Sequence, residues 1–248
     1  MKRKAIITII ADGHEFFKIW YCYYRKFFND SDIYILSFNS PESYIKDLTC
    51  NVIRCGRNIY DIGNYGYLTE FKNSLFTIYD SVMYADYDEI IYHPSGLDKF
   101  IDNCHGLRFA TCTGYEIVQN RKAETAIDFN KSILAQRSYW CRANPYDKPA
   151  IDFDKISWGP GAHGLYDPEW VKSDRPLNRF EDLYLIHLHK IDYLYCYGMN
   201  LKNVNSGNKP VGGGNQNFYL YDQFEAWWND AENSIVTIPD IIKQHGGF

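Results

Sequence analysis

Tyr84-Ala85-Asp86-Tyr87-Asp88-Glu89-Ile90-Ile91-Tyr92 sets three carboxylates within four residues of an otherwise apolar and aromatic run. Read as a strand over residues 81–92, its alternation puts Asp86 and Asp88 on one face and Tyr87 with Glu89 on the other. Charges buried without partners are expensive, so a strand bearing clustered acids opens into a solvated site or holds a cation. Two convergent carboxylates suit a hard divalent ion, Mg2+ or Mn2+, that keeps its other positions for substrate phosphates. A diphosphate is then the expected partner. The plain alternative is an acidic turn after a strand.

The flanking sequence sets this segment in an α/β frame. Residues 6–10 are a continuous apolar, β-branched run, the pattern of a strand buried on both faces of a parallel sheet. Residues 14–28 are apolar around most of a helix circumference, which predicts a sandwiched helix. Strands follow over 32–38 and 51–55, then a helix over 65–79 with Leu68, Phe71, Leu75, Phe76 and Tyr79 at 3,4-spacing, then the acid-bearing strand. This order predicts an α/β sheet with right-handed crossovers, and ligands of such sheets sit outside the carboxyl ends of the strands. The second half is less regular: helices over 97–104 and 132–140, strands over 108–118, 150–157 and 184–190, a Gly/Asn-rich loop over 203–217 and a helix over 218–231.

Composition narrows the function. The 248 residues carry 26 Lys+Arg against 31 Asp+Glu, a net charge of −5 that disfavours nucleic acid and anionic lipid as partners. With 46% hydrophobic and 23% charged residues, disordered and fibrous classes drop out. Aromatic residues reach 17%, 22 of them Tyr. Most fall on predicted buried strands and helices, leaving Tyr87, Tyr92, Trp158, Tyr166 and Trp170 as candidates for stacking on a sugar. Seven Cys, an odd number without a C-x-x-C pair, suggest reduced thiols. Met1-Lys2-Arg3-Lys4 opens a basic start whose apolar run ends at Asp12, too short for a secretory signal or a membrane span. A cytoplasmic protein is expected.

Residues 79–92 resemble the D-x-D-E segment of GT-A-fold glycosyltransferases of the family-2-like group, which includes bacterial and large-virus enzymes. Residues 7–38 resemble that group's opening strand-helix-strand. Asp147-Lys148-Pro149-Ala150-Ile151 and Gly159-Pro160-Gly161-Ala162-His163 resemble its middle motifs, and Leu183-Tyr184-Leu185-Ile186-His187-Leu188-His189 its late histidine strand. The resemblance covers about residues 5–195. It implies a single GT-A-type, Rossmann-like domain over 1–202, with a mixed central sheet flanked by helices, a nucleotide-sugar half over 1–93 and an acceptor half over 94–202. Residues 203–248 are expected to pack a loop and helix onto the same domain.

The implied activity moves a sugar from a nucleoside diphosphate sugar, expected to be UDP-linked, to a glycan or protein acceptor. Asp88 would bind the metal directly, Asp86 would address the donor ribose and the ion, and His187 best matches the third ligand. His189 shares its strand face, and pattern does not separate the two. An imidazole ligand would favour Mn2+ over Mg2+. The resemblance implies donor contacts at Asp12 and Glu15 after the first strand and at Asp61 before the second helix, each of which as a residue type could instead be a cap or a solvated acid, Asp12 being the N-cap candidate. Lys148 and Arg137 are candidates to offset diphosphate charge. Glu116, Asp152, Asp154 and Asp167 are candidate general bases for an inverting reaction.

Residues 159–164 formally spell G-x-G-x-x-G, but Pro160 and Pro168 flank a mid-chain loop where a dinucleotide fingerprint needs a strand and a helix. His163 on that loop is instead a candidate catalytic group near the diphosphate or acceptor. Two other functions compete. A sugar-phosphate nucleotidyltransferase would open with a Gly-rich loop carrying Arg and Lys, which Ala11-Asp12-Gly13-His14-Glu15 lacks. A non-catalytic carbohydrate-binding module explains the rings but leaves Asp86, Asp88 and Glu89 without a purpose.

Overall fold

The computed structural model describes residues 2–10, 15–38, 40–56, 64–159, 162–166, 177–205, 221–245 and 247–248. Asp12, Asp61, Asp167, Trp170 and most of the loop expected over 203–217 lie outside them. In chain order the elements are β1 (Lys4–Ile10), α1 (Glu15–Tyr24), β2 (Ile33–Phe38), α2 (Glu42–Ile45), β3 (Asn51–Cys55), α3 (Asn64–Leu75), β4 (Ser81–Tyr84), β5 (Glu89–Tyr92), α4 (Leu97–Asn103), β6 (Phe109–Ile117), α5 (Ile133–Gln136), β7 (Tyr139–Arg142), β8 (Pro149–Asp152), β9 (Arg179–His187), α6 (Tyr193–Asn205), α7 (Tyr221–Asn233), β10 (Val236–Thr237) and α8 (Asp240–His245).

The fold is the expected α/β class with a mixed central sheet, ten-stranded among the described residues. Its order is β10-β7-β6-β8-β4-β1-β2-β3, with β9 pairing β5 and β6 off that path. The pairs β1–β2, β2–β3 and β1–β4 are parallel, whereas β8 joins β4 and β6 antiparallel. The chain gathers into two compact units, Met1–Gly114 with Asn144–Ile186 and Tyr115–Ala143 with His187–Phe248. Among the described residues no helix is long and apolar enough to cross a membrane.

In the first unit the β-branched runs are buried on both faces. Ala5, Ile7 and Ile9 of β1, Leu36 and Phe38 of β2 and Leu68 and Leu75 of α3 share one core cluster, while Ile6, Ile10, Ile33 and Ile35 are buried as well. Helix α1 buries Phe16, Phe17, Trp20, Tyr23 and Tyr24. Three of these rings have a polar end, and those of the two tyrosines are partnered. The Tyr23 hydroxyl donates to the Ile91 carbonyl at 2.9 Å, and the Tyr24 hydroxyl accepts the Ile91 N–H at 2.8 Å and donates to the Glu89 carbonyl at 3.3 Å. Strand β5 is thereby tied to α1. In the second unit Phe224, Trp228 and Ala231, at helical 4,3-spacing on α7, pack with Val118, Cys141 and Cys196. Arg121 reaches Glu225 at 2.8 Å and Glu232 at 2.7 Å on the same helix.

Three expected elements differ. The strand over 81–92 is broken: β4 ends at Tyr84 and β5 begins at Glu89, so the acids occupy a turn and strand alternation does not set their facing. Ladder pairing, not helix, takes residues 139–142, where Trp140 stands opposite Ile117. The late strand spans Arg179–His187 and leaves His189 beyond its end.

Candidate functional site

The acids sit at the carboxyl end of β4, where the chain leaves one strand and enters another. The turn is closed reciprocally: the Glu89 N–H donates to the Asp86 carbonyl at 2.9 Å, and the Asp86 N–H donates to Glu89 Oε2 at 2.9 Å. The Glu89 carboxylate thus reaches back to the N–H three residues earlier, as the glutamate of a helix capping box does, while the Asp86 main-chain carbonyl closes the other half. Lys148 completes it. Its ammonium is fully buried, 2.9 Å from Asp86 Oδ2 and 2.6 Å from Glu89 Oε1. Asp86 also accepts the Tyr84 hydroxyl. Burial alone would depress the Lys148 ammonium, but Asp86 and Glu89 outweigh it and hold its pKa above the ordinary lysine range.

The Asp147-Lys148-Pro149 motif owes its composition to this position. Asp147 accepts the Gly114 N–H of β6 at 2.8 Å and pairs with Arg179 of β9 at 3.1 Å. Pro149 opens β8, a place where a missing N–H is tolerated. Lys148 between them is the counter-ion of Asp86 and Glu89, which corrects its expected role as a diphosphate contact: its charge is buried and already matched.

On the histidine side, Glu116 of β6 is buried with both carboxylate oxygens 3.0 Å from His187 Nδ1, and its Oε1 accepts the Lys190 N–H at 3.1 Å. Burial pushes the Glu116 carboxyl up, yet His187, Lys190 and His189 outweigh burial and leave it below the usual carboxylate range. The His189 ring lies nearly parallel to that of His187, centroids 5.7 Å apart, and meets Trp227 edge-on at 6.0 Å. Strand β9, which His187 terminates, pairs with β5, whose first residue follows Asp88. Asp88, His187 and His189 each offer a ligand atom, all within 4.8 Å of one another. Two imidazoles and one carboxylate suit Mn2+ better than Mg2+, because Mn2+ accepts nitrogen more readily while Mg2+ prefers an all-oxygen shell. Asp86, expected among the ligands, is not in this group; it is engaged by Lys148 and Tyr84.

The other expected residues divide clearly. Arg137 is not a diphosphate contact: it is buried, bonded to the carbonyls of Ile191 and Gln136 and paired with Asp192 at 3.5 Å. Glu116 is too enclosed to act as a base on an acceptor. So is Asp152, fully buried against Lys72, its carboxyl pushed up to about 6 by burial with Lys72 opposing. Asp154 is exposed and paired with Arg108 at 3.3 Å. Glu15 opens α1 and pairs with Lys18 at 3.1 Å. His163 is exposed on a loop closed by the Gly159 N–H to Gly164 carbonyl bond of 2.8 Å, and its Nδ1 lies 2.7 Å from the Pro145 carbonyl oxygen. Of the rings considered for stacking, Trp158 and Tyr92 are core residues, packed on Tyr84 and Tyr184, whereas Tyr87 is half-buried and Tyr166 is 67% exposed.

Sequence reasoning missed Lys72 and the true work of Lys148. Lys72 had a signal: it stands four residues after Leu68 and three before Leu75, on the buried stripe of α3.

No family model matches the chain, and no curated protein matches it. Among solved structures, a chain described as a candidate glucose-1-phosphate thymidylyltransferase from Bacillus anthracis, in complex with a sucrose, is similar over 90% of this chain and 99% of its own, at 12% identity and a TM-score of 0.39. Likeness of that degree assigns no activity.

Proposed function

We propose that the chain is a metal-dependent glycosyltransferase that moves a sugar from a nucleoside diphosphate sugar, UDP-linked, to a glycan or protein acceptor. The observation that carries this reading is the grouping of Asp88, His187 and His189 within ligand reach at the carboxyl-end turn of β4. Asp88, His187 and His189 would hold Mn2+, which supplies positive charge to a departing diphosphate. Asp86, with a side chain 34% exposed, faces the donor ribose in this reading, held in place by Lys148. Glu89 shapes the turn and touches no substrate. His163 and Tyr166 are the exposed groups of the 162–166 loop left for the acceptor side.

Calorimetric titration of UDP with and without Mn2+ tests the reading. Tight binding that requires the metal is expected in the wild type, and Asp88→Asn should lose both the metal dependence and the hydrolysis of any nucleotide sugar the wild type turns over. Metal-independent UDP affinity, or an Asp88→Asn protein with full hydrolysis, would refute it.

A further inference from the structure

We infer that Glu116 is the positioning residue of the metal centre, fixing His187 in the one tautomer and ring orientation that can bind the ion through Nε2. This rests on the proposed metal site and adds the group that prepares it. The chemistry is one of donors and acceptors. An ionised carboxylate only accepts, so a ring nitrogen 3.0 Å from both Glu116 oxygens must be the N–H nitrogen. Neutral imidazole carries one proton; with it on Nδ1, the lone pair is on Nε2. Glu116 is held in turn by the Lys190 N–H, and all three residues are buried, so neither side chain is free to swing away. A carboxylate behind a metal-binding histidine is the arrangement that raises ligand basicity and orients the ring.

Glu116 therefore has no contact with substrate; it acts through His187. Its sequence signal was a lone acid in the apolar strand β6, which composition alone could equally make a general base.

The test pairs Glu116→Gln with the wild type and reads three quantities: Mn2+ affinity by calorimetry, the His187 tautomer by long-range 15N–1H NMR on metal-free protein, and the thermal midpoint. Gln keeps the size, but its single carbonyl oxygen has to serve both the Lys190 N–H and the His187 Nδ1–H. Mn2+ binding should weaken about tenfold to a hundredfold, the usual effect of losing such a partner. The His187 signals should move from pure Nδ1–H to a mixture. If the wild type binds no Mn2+, the proposed function falls. If the wild type binds and Glu116→Gln binds equally well, this inference falls and the proposed function stands. Should Glu116→Gln not fold, the wild-type spectrum still decides, because an unprotonated His187 Nδ1 overturns the assignment.

Discussion

Replacing Lys148 by Met should destabilise the protein sharply, because it removes one member of a buried ionic triad and leaves the others in place. Lys148 is 0% exposed and Glu89 1%, while Asp86 is 34% exposed. Removing one partner of a buried pair typically costs about 3–5 kcal/mol, since the remaining charge stays buried without compensation. Water can reach Asp86, so the cost falls on Glu89, whose other oxygen accepts the Asp86 N–H at 2.9 Å, a neutral donor that does not replace the lost ammonium. For a chain of this size each kcal/mol moves the thermal midpoint by about 2–4 °C, giving an expected drop of roughly 6–20 °C. Urea and thermal unfolding followed by circular dichroism would measure it. Adding Glu89→Gln to Lys148→Met should recover a large part of the loss, because the uncompensated charge is gone. The two single losses would then fail to add, as expected for directly paired groups. A midpoint within 2 °C of wild type for Lys148→Met, or strictly additive changes in the double variant, would refute the idea that Lys148 serves the turn and not a ligand.

Three further outcomes follow from the same geometry. Tyr24→Phe removes the hydroxyl that both accepts from Ile91 and donates to Glu89, and should cost about 1–3 kcal/mol by urea unfolding; a neutral result would contradict the coupling of α1 to β5. Lys72→Met should destabilise more at pH 7.5 than at pH 4.5. Burial has already raised the Asp152 carboxyl to about 6, so its favourable contribution is complete below its ordinary value near 3.8 and is lost as pH rises through about 6. Without Lys72 that loss grows, and a pH-independent difference between variant and wild type would count against it. Finally, His189→Ala should weaken Mn2+ binding and narrow the preference for Mn2+ over Mg2+, read by calorimetry with each ion; an unchanged ratio would exclude the second imidazole as a ligand.

The parallel part of the sheet was legible because its strands carry their own signal: β1 and β2 are apolar enough to be buried on both faces, and β3, partly buried at the end of the sheet order, falls on residues 51–55 as expected. Where partners far along the chain decide, local pattern failed. Tyr139 and Trp140 read as the end of a helix but pair with β10 and, for Trp140, also with β6. The candidate ligands Asp88 and His187 were legible as residue types, through resemblance to a motif. Lys148 was read as offsetting diphosphate charge because local sequence shows a basic residue and not its partners. Its burial depends on Asp86 and Glu89, more than fifty residues away in sequence.

The broken strand changes what the three acids mean. On one continuous strand, Asp86 and Asp88 would face the same side and share one cation. In the turn, strand alternation no longer sets the facing, and the carboxylates are sorted by their partners. Glu89 is spent on the Asp86 N–H and on Lys148, which closes the turn. Asp86 shares Lys148 and keeps a third of its surface open. Asp88 meets the two histidines. A single buried lysine thus offsets the charge of two acids, so that the cation proposed for the third would be attracted by one carboxylate and held chiefly by nitrogen. That division predicts that a metal proposed for this site would be selected by its imidazoles, and it would be undone if Lys148→Met, which frees Asp86, bound Mg2+ no better than the wild type does.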